Sequence, residues 1–391
     1  MYCRIINKEF IIIIIMYPLI IIILVILTIP LIYIAWFKIK YSFWSKQPVF
    51  NYYNLYYWIH PYTVIDEELP EMNKYYNIRN IVFKDVASIT PTEINEVIEL
   101  LQNHYYKNDT IHYFPKKSNV IPYLSNNNNN SYISIYYKNK KAVGILTGRT
   151  LEVSINNTSF LTYYADFLCV HEEYRKQEIS PKMIYTHYYN QRHREPSILT
   201  SLFKREHTLN HYVPLVEYQT YTFNVKNWIT YSLHNCVKIL SITKENINIL
   251  HEFIRKEKQR FKCFISSHIS NILELIKTKN IYVYCVIIND KVYAAYFLRD
   301  LCTNYLKNKS LECFASIKNC SDELFLYCFS NVVFYYKEYN PILLIEDVSD
   351  NDIIIKNILL KYSYMSKVSC GFYFYNYASL SVKKKEFCCI Y

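Results

Sequence analysis

The longest apolar stretch of the chain covers residues 10–37 and contains no charged residue. It is longer than the ~20 apolar residues with which an α-helix spans a bilayer, and longer than the apolar part of a signal peptide. Tyr33 and Trp36 lie near its end, as is typical of aromatic side chains at membrane interfaces. The pattern predicts an uncleaved transmembrane helix over residues 10–37, preceded by a short tail, residues 1–9.

Charged residues on either side of this stretch indicate its orientation. Lys38, Lys40 and Lys46 follow it, whereas Arg4 and Lys8 precede it and weaken the asymmetry. Positive charges beside a membrane helix favour the cytoplasmic side. We therefore expect a single-pass membrane protein whose larger part faces the cytoplasm.

Two later stretches share one pattern of apolar and polar positions. SITPTEINEVIELL, from Ser88, and SITKENINILHEFI, from Ser241, each indicate a strand end followed by an amphipathic helix, with Thr90 as N-cap in the first. Each is followed by two apolar segments joined by a polar turn, SYISIYYKNKKAVGILTGR and IYVYCVIINDKVYAAYFLRD, which predict β-hairpins. The repetition predicts a duplicated α+β domain with halves at residues 38–225 and 226–391, whose sheets pack together.

A nearly continuous apolar run at residues 160–170, FLTYYADFLCV, predicts a strand buried on both faces. The loop HEEYRKQEIS follows it, and Ser180 and Pro181 are the predicted N-cap and first residue of a helix. Free N–H groups at the helix start, together with Arg175 and Lys176, favour a phosphate site. The alternative, that these residues only begin a helix, stays open because N-caps are common.

The composition of the 391-residue chain excludes several classes of site. Glycine occurs only at Gly144, Gly148 and Gly371, so a P-loop or dinucleotide fingerprint is impossible. The formal net charge of +11 fits an anionic cofactor or an acidic membrane, and without a recognisable RNA- or DNA-binding motif we expect no nucleic-acid partner. The 12 cysteines include no C-x-x-C pair, and we expect no metal site.

Four segments resemble the N-myristoyltransferase (glycylpeptide N-tetradecanoyltransferase) family, in that family's order. They are YSFWSKQPV at residues 41–49, LQNHYYKND at 101–109, ADFLCVHEEYRKQEISP at 165–181 and GFYFYNY at 371–377. The resemblance spans residues 41–391, and its first and third segments form a specific combination. It implies a tandem acetyltransferase-like (GNAT) fold with a saddle-shaped sheet, in which the first half binds acyl-CoA and the second half binds a peptide.

The resemblance also implies transfer of a myristoyl group from myristoyl-CoA to the N-terminal glycine of proteins, with no covalent enzyme intermediate. The backbone N–H groups of Phe167 and Leu168 would then stabilise the thioester oxyanion. The carboxylate of Tyr391 would be the general base, and Thr200 would lie near the reacting amine. Myristoyl-CoA is the expected co-substrate, and we expect no permanently bound cofactor and a monomeric protein.

The same resemblance assigns further residues to binding. Tyr105, Asp109 and Tyr212 are expected to contact the substrate peptide. Cys169 could be proposed as a nucleophile, but a structural role is favoured because buried cysteine mostly acts as a small hydrophobe. Residues expected to bind acyl-CoA are Tyr41, Ser42, Phe43, Trp44, Phe167, Leu168, Cys169, Val170, Arg175, Lys176, Glu178, Ile179 and Ser180.

The chain departs from the family pattern within these segments. Gln177 and Glu178 stand where lysine and arginine are usual, which predicts weaker binding of coenzyme A. Asp166 stands where asparagine is usual and places a carboxylate beside the developing oxyanion. The acidic run of the peptide loop is reduced to Asp109, which predicts a weaker preference for lysine in the substrate.

Two other interpretations therefore stay open. The first is a membrane-anchored pseudoenzyme that binds acyl-CoA or N-terminal peptides without turnover, which the departures from the family pattern favour. The second, an acetyltransferase acting on another amine, is rated lower because the usual glycine loop is missing.

Overall fold

The computed structural model describes residues 2–106, 110–127, 129–207, 211–305 and 308–391. The helices in these residues are α1 (Tyr2–Lys40), α2 (Leu55–Ile59), α3 (Pro91–His104), α4 (Lys117–Leu124), α5 (Ile179–Arg194), α6 (Ile247–Glu257), α7 (Ile269–Lys277), α8 (Asp322–Phe334) and α9 (Asn351–Leu359). The strands are β1 (Thr63–Val64), β2 (Ile81–Asp85), β3 (Ile111–Tyr113), β4 (Tyr132–Lys138), β5 (Lys141–Ile155), β6 (Thr158–Val170), β7 (Thr200–Glu206), β8 (Val216–Asn224), β9 (Val237–Ser241), β10 (Cys263–Ser266), β11 (Ile281–Ile288), β12 (Lys291–Tyr305), β13 (Asn308–Lys318), β14 (Ile342–Glu346), β15 (Ser366–Tyr375), β16 (Tyr377–Ala378) and β17 (Phe387–Ile390).

One large mixed sheet contains 15 of these strands, while β1 pairs separately with β16. The main path of the sheet is β17-β10-β5-β6-β7-β15-β8-β14-β13-β12-β11-β9. Strands β2 and β4 extend it beside β5, and β3 pairs with β12. The α+β fold class predicted from the sequence is confirmed.

Turns of two polar residues close both predicted hairpins. Asn139 and Lys140 join β4 to β5, Asn289 and Asp290 join β11 to β12, and all four have φ between 49° and 62°. Such turns match the twist of the flanking strands, and asparagine and aspartate tolerate positive φ better than most residues. A chain with few glycines thus turns its hairpins mainly with asparagine and aspartate.

Each predicted half contains a helix followed by three antiparallel strands. In the first half α3 precedes β4, β5 and β6, and in the second α6 precedes β11, β12 and β13. Strands of the two predicted halves alternate in one sheet. β15 of the second half lies between β7 and β8 of the first half, and β10 of the second half pairs with β5 of the first half. The predicted boundary at residue 225 falls between β8 and β9, and the assignment of the two halves stays a prediction.

Helices α3 and α5 cover opposite faces of the central strands. Ile145 of β5 packs in a cluster with Leu101 of α3, whereas its neighbour Leu146 packs with Met183 of α5. Successive side chains of a strand point to opposite faces, so the two helices lie on either side of β5. Both faces of β5 are therefore buried.

The predicted start of α3 is confirmed, whereas the start of α5 is corrected. Thr90 Oγ1 accepts a hydrogen bond from the N–H of Glu93, and the Glu93 carboxylate accepts one from the N–H of Thr90, which forms a capping box. Helix α5 begins directly after Glu178, whose φ is 57°. Ser180 is therefore not its N-cap, and Pro181 lies inside the first turn, where the missing N–H is tolerated.

The apolar N-terminal stretch forms the helix α1, which extends beyond the predicted segment at both ends. Its part from Met16 to Lys40 is long and apolar enough to cross a membrane. Most side chains in this part are exposed, but Phe37 is fully buried against Tyr212. The hydroxyl of Tyr33 also lies 2.7 Å from His211 Nδ1. The end of the helix is thereby attached to the rest of the molecule.

Candidate active site

Strand β6 is kinked at Phe167, within the segment that resembles the family signature. Phe167 has a φ of 52°, which is unusual for a residue with a large side chain. The register between β5 and β6 shifts here, so that Phe167 and Leu168 lie outside the regular pairing as a β-bulge. On its other edge, β6 pairs with β7 only as far as Ala165. The sheet is therefore interrupted at the two residues predicted to form the oxyanion site.

The backbone N–H of Phe167 has a partner from its own chain. It donates a hydrogen bond to the carboxylate of Asp166, with an N···Oδ1 distance of 2.8 Å. Asp166, Phe167 and Leu168 all line the same cavity. The chain's own carboxylate thus binds an N–H group that was predicted to stabilise the oxyanion.

This cavity has a volume of about 610 Å³. Its walls come from α4, α5, β5, β6, β7 and β12, so both predicted halves contribute to it. One group of wall residues is centred on Trp44, which stacks on Phe203 with 6.0 Å between ring centroids. Another contains Arg149, whose guanidinium lies 5.4 to 5.8 Å from the ring centroids of Tyr123 and two further tyrosines.

The last residues of the chain reach the same cavity. Strand β17 pairs in parallel with β10, and Tyr391 is 3% exposed and lines the cavity. The ring of Tyr391 contacts Tyr164 of β6 at 5.1 Å and Phe372 of β15 at 5.8 Å. The structure therefore brings Tyr391 together with Phe167 and Leu168, although they are far apart in the sequence.

A buried network of charged side chains lies beside Tyr391. Arg299 binds Glu312 at 2.5 Å and Glu346 at 3.1 Å, and Lys204 binds Glu346 at 2.6 Å. Arg299 also donates to the hydroxyl of Tyr391 at 3.2 Å. Burial acts to raise the pKa of Glu312, but the charges of Arg299 and Lys204 outweigh it and hold this pKa below its usual value. Burial raises the pKa of Glu346, although Lys204 opposes the change.

The loop after β6 forms a second hollow, of about 370 Å³, with the first turn of α5. Arg175 holds the loop rather than pointing freely outward, because it donates to the carbonyl oxygens of Val170 at 3.1 Å and His104 at 2.5 Å. Lys176 is exposed, and both Lys176 and Glu178 have positive φ. The hollow is lined by residues predicted to bind acyl-CoA, including Val170, Arg175, Lys176, Glu178, Ile179 and Ser180.

Four residues of the segment 41–49 were predicted to bind acyl-CoA, and one of them lies in the cavity wall. Trp44 lines the cavity, whereas Phe43 is buried against Tyr75 with 4.9 Å between ring centroids. Tyr41 packs on Phe37 at the end of α1, and Ser42 is exposed. The segment therefore connects α1 to the cavity wall.

Of the residues predicted to contact the peptide or the reacting amine, only some lie in the cavity wall. Tyr105 lines the cavity, with its ring centroid 6.1 Å from that of Phe167. Tyr212 is buried beside Trp44 and is not part of the cavity wall, and Asp109 lies outside the described residues. Thr200 is also buried away from the cavity, where its hydroxyl donates to Thr162 at 2.9 Å, and the neighbouring Ser201 lines the cavity instead.

Cys169 has the surroundings of a structural cysteine. It is 3% exposed and packs in the cluster with α3. Burial raises the pKa of its thiol to about 12, despite an opposing effect of Arg175. A thiol with this pKa is protonated near neutral pH and is a poor nucleophile.

Several polar residues of the cavity wall were not predicted from the sequence, and Arg149 and His187 are two of them. Arg149 is a charged residue within the apolar stretch of β5, and this exception was the available signal. His187 is buried, and its Nδ1 lies 2.8 Å from Ser134 Oγ. Burial lowers the pKa of His187 to about 3, so the ring is neutral at neutral pH. No sequence motif distinguishes His187 from other histidines.

Comparisons with known proteins agree with the resemblance of these segments. Residues 63–213 match the profile of the myristoyl-CoA:protein N-myristoyltransferase N-terminal domain. Most of the chain has the N-myristoyltransferase fold. It superimposes on Saccharomyces cerevisiae N-myristoyltransferase with bound myristoyl-CoA at a TM-score of 0.70 and 12% identity, covering 88% of this chain and 94% of that chain. A second structure of the yeast enzyme, with myristoyl-CoA and inhibitors bound, gives a TM-score of 0.71, 13% identity and coverages of 88% and 91%. A search of curated protein sequences gave no match.

Proposed function

We propose that the protein is an N-myristoyltransferase, which transfers the acyl group of myristoyl-CoA to the N-terminal glycine of proteins. One observation carries this proposal. The kinked strand at Phe167 and the buried residue Tyr391 line the same cavity. The kink lies within residues 63–213, the segment that matches the family profile. Strained backbone persists only where the surrounding structure holds it, and it is concentrated at functional sites.

The proposed chemistry uses backbone and terminal groups. The substrate ammonium gives a proton to the carboxylate of Tyr391, and the free amine attacks the thioester carbon. The N–H groups of Phe167 and Leu168 stabilise the negative charge that develops on the carbonyl oxygen. The carbon–sulfur bond then breaks, the new amide loses its extra proton, and coenzyme A leaves as the thiol.

Acyl-CoA is proposed to lie across the 370 Å³ hollow and the 610 Å³ cavity. The 370 Å³ hollow offers the charge of Lys176 and the start of α5, a combination that suits phosphate groups. Trp44 and Phe203 offer apolar surface for the acyl chain in the cavity. Residues 38–225 are then the acyl-CoA half, and 226–391 the peptide half.

We also propose that α1 anchors the protein in a membrane as a single-pass helix, with the remainder in the cytoplasm and the protein monomeric. The length and hydropathy of α1 support this placement. Because Phe37 at the end of α1 packs beside the segment that leads to Trp44, the cavity would lie close to the membrane surface. A long acyl-CoA partitions to the same surface.

An acyl-transfer assay read by mass spectrometry tests the proposed function. The purified chain is incubated with acyl-CoAs of several lengths and a peptide that begins with glycine. We expect the peptide to gain one acyl group at its N-terminus, with myristoyl preferred, and a matched peptide beginning with alanine to remain unmodified. Failure to acylate any glycine peptide with any acyl-CoA would contradict the proposal.

A second candidate function, a pseudoenzyme of the same fold that binds acyl-CoA or N-terminal peptides, is favoured by one contact. The Phe167 N–H already donates to the Asp166 carboxylate, so a thioester oxygen must displace this acceptor. Binding of acyl-CoA without any transfer in the same assay would support the pseudoenzyme.

A further inference from the structure

Arg149 is a buried cation with unused hydrogen-bond donors. Its side chain is 1% exposed, and one guanidinium nitrogen, Nη1, donates to Ser267 Oγ at 2.9 Å. The other two nitrogens, Nε and Nη2, are buried without a hydrogen-bond partner among the described residues. Arg149 also lines the 610 Å³ cavity. Two buried donors of a residue in the cavity wall thus lack a partner among the described residues.

No carboxylate of the described residues neutralises this charge. Arg149 forms no ion pair among them, whereas two partly buried cations of the wall, Arg299 and Lys204, are paired with Glu312 and Glu346. An unpaired buried charge is strongly unfavourable, and buried arginines normally have an anionic partner. The groups packed around Arg149 are aromatic rings, which attract its charge but accept few of its hydrogen bonds.

The opposite charge lies elsewhere in the same cavity. Asp166 lies on β6 opposite Thr147, two residues before Arg149 on β5, and no ion pair joins Asp166 to Arg149. Tyr164 lies on β6 directly opposite Arg149. The wall thus offers a carboxylate near the kinked strand and a guanidinium a short distance along β5. The guanidinium therefore lies a short distance along β5 from the site proposed for the substrate glycine, and its charge suits a ligand group that carries a carboxylate.

We propose that Arg149 binds the side-chain carboxylate of an aspartate or glutamate close to the N-terminal glycine of the substrate peptide. This inference rests on the proposed function and adds a substrate class to it. The planar guanidinium can bind a carboxylate through two parallel hydrogen bonds. Its two free donors match that requirement, so peptides with an early acidic residue are preferred over neutral ones.

The test compares peptides that differ at one position. Glycine-initiated peptides carry a single aspartate or a single asparagine at each position from two to five. Binding is measured by fluorescence anisotropy without acyl-CoA, and KM and kcat are measured with it. For the wild-type protein we expect aspartate at one position to lower Kd and KM by about ten- to a hundredfold relative to asparagine.

Variants assign this preference to Arg149. Arg149→Met should abolish the difference in Kd and KM between aspartate and asparagine peptides, and Arg149→Lys should keep part of it. Arg255→Met, which removes an exposed arginine of α6, is the matched control and should behave as wild type. The thermal midpoint of ligand-free Arg149→Met should equal or exceed that of wild type, whereas a merely structural arginine would lower it.

The outcomes separate this inference from the proposed function. Equal Kd for aspartate and asparagine peptides overturns the inference, even if glycine peptides are acylated. A uniform loss of kcat in Arg149→Met for all peptides also overturns it, because Arg149 would then act on the carboxylate of Tyr391. Selective binding of acidic peptides without acyl transfer supports the binding site and contradicts the proposed function.

Discussion

At the scale of single residues, the backbone of Phe167 and the side chain of Asp166 determine whether the Phe167 N–H can bind a thioester oxygen. A positive φ in a phenylalanine costs about 1 to 3 kcal/mol and persists only where the surroundings hold it. Here the register shift and the hydrogen bond to Asp166 both hold it. Because a carboxylate is a stronger acceptor than a neutral amide oxygen, this bond competes with a thioester for the N–H.

The substitution Asp166→Asn is therefore expected to increase turnover. Asparagine can still accept the bond from Phe167, but without the charge that strengthens it. We expect kcat for a glycine peptide to rise about three- to tenfold, with a smaller change in KM. Steady-state kinetics with Asp290→Asn, in an exposed hairpin turn, as the control measures this effect. A lower kcat would instead show that Asp166 assists the substrate ammonium.

At the scale of secondary-structure elements, helix α1 was predictable from the sequence, whereas strand β6 was predictable without its kink. The long apolar pattern predicted a helix, and the structure contains one from Tyr2 to Lys40. The pattern of β6 predicted a buried strand but not its kink, since the register shift depends on pairing with β5. Helix α5 begins at Ile179, before the predicted first residue Pro181. The sequence did not indicate this start, because Glu178 adopts a left-handed conformation that favours glycine, and no glycine is present there.

Removal of most of α1 should release the protein from membranes without unfolding it. A variant beginning with methionine before Leu31 retains Tyr33 and Phe37, which contact His211 and Tyr212. We expect it in the soluble fraction, with a thermal midpoint near that of the full chain. Flotation with liposomes, with the full chain as control, measures the effect. Continued flotation of the truncated variant would contradict the role of α1 as the anchor.

At the scale of the whole molecule, Tyr391 lies between elements of both predicted halves. Strand β17 pairs with β10, β10 pairs with β5, and Tyr391 contacts β6 and β15. Ile390 and Cys389 are almost fully buried. Truncation of several terminal residues would therefore remove core packing together with the proposed base, so a smaller change is needed to test the base.

Conversion of the Tyr391 carboxylate to a carboxamide isolates its chemical role. Cys388 permits ligation of a synthetic peptide of the last four residues, made with either terminus. Because a general base contributes about 10²- to 10⁴-fold, we expect kcat to fall by that factor in the carboxamide. The thermal midpoint should stay unchanged, since the buried ring remains. The ligated carboxylate form is the control, and equal kcat for both forms would exclude this base.

The sequence by itself determined the features that depend on local patterns. The apolar stretch, the capped helix at Thr90 and the polar hairpin turns follow from residue types at fixed spacings, and the signature segment pointed to the strand that carries Phe167. The family resemblance implied that Tyr391 lies near Phe167, but only the tertiary structure decided that Arg149 shares their cavity and that Thr200 lies outside it. These relations depend on strand order and register in a sheet that joins distant parts of the chain, and no local pattern encodes them.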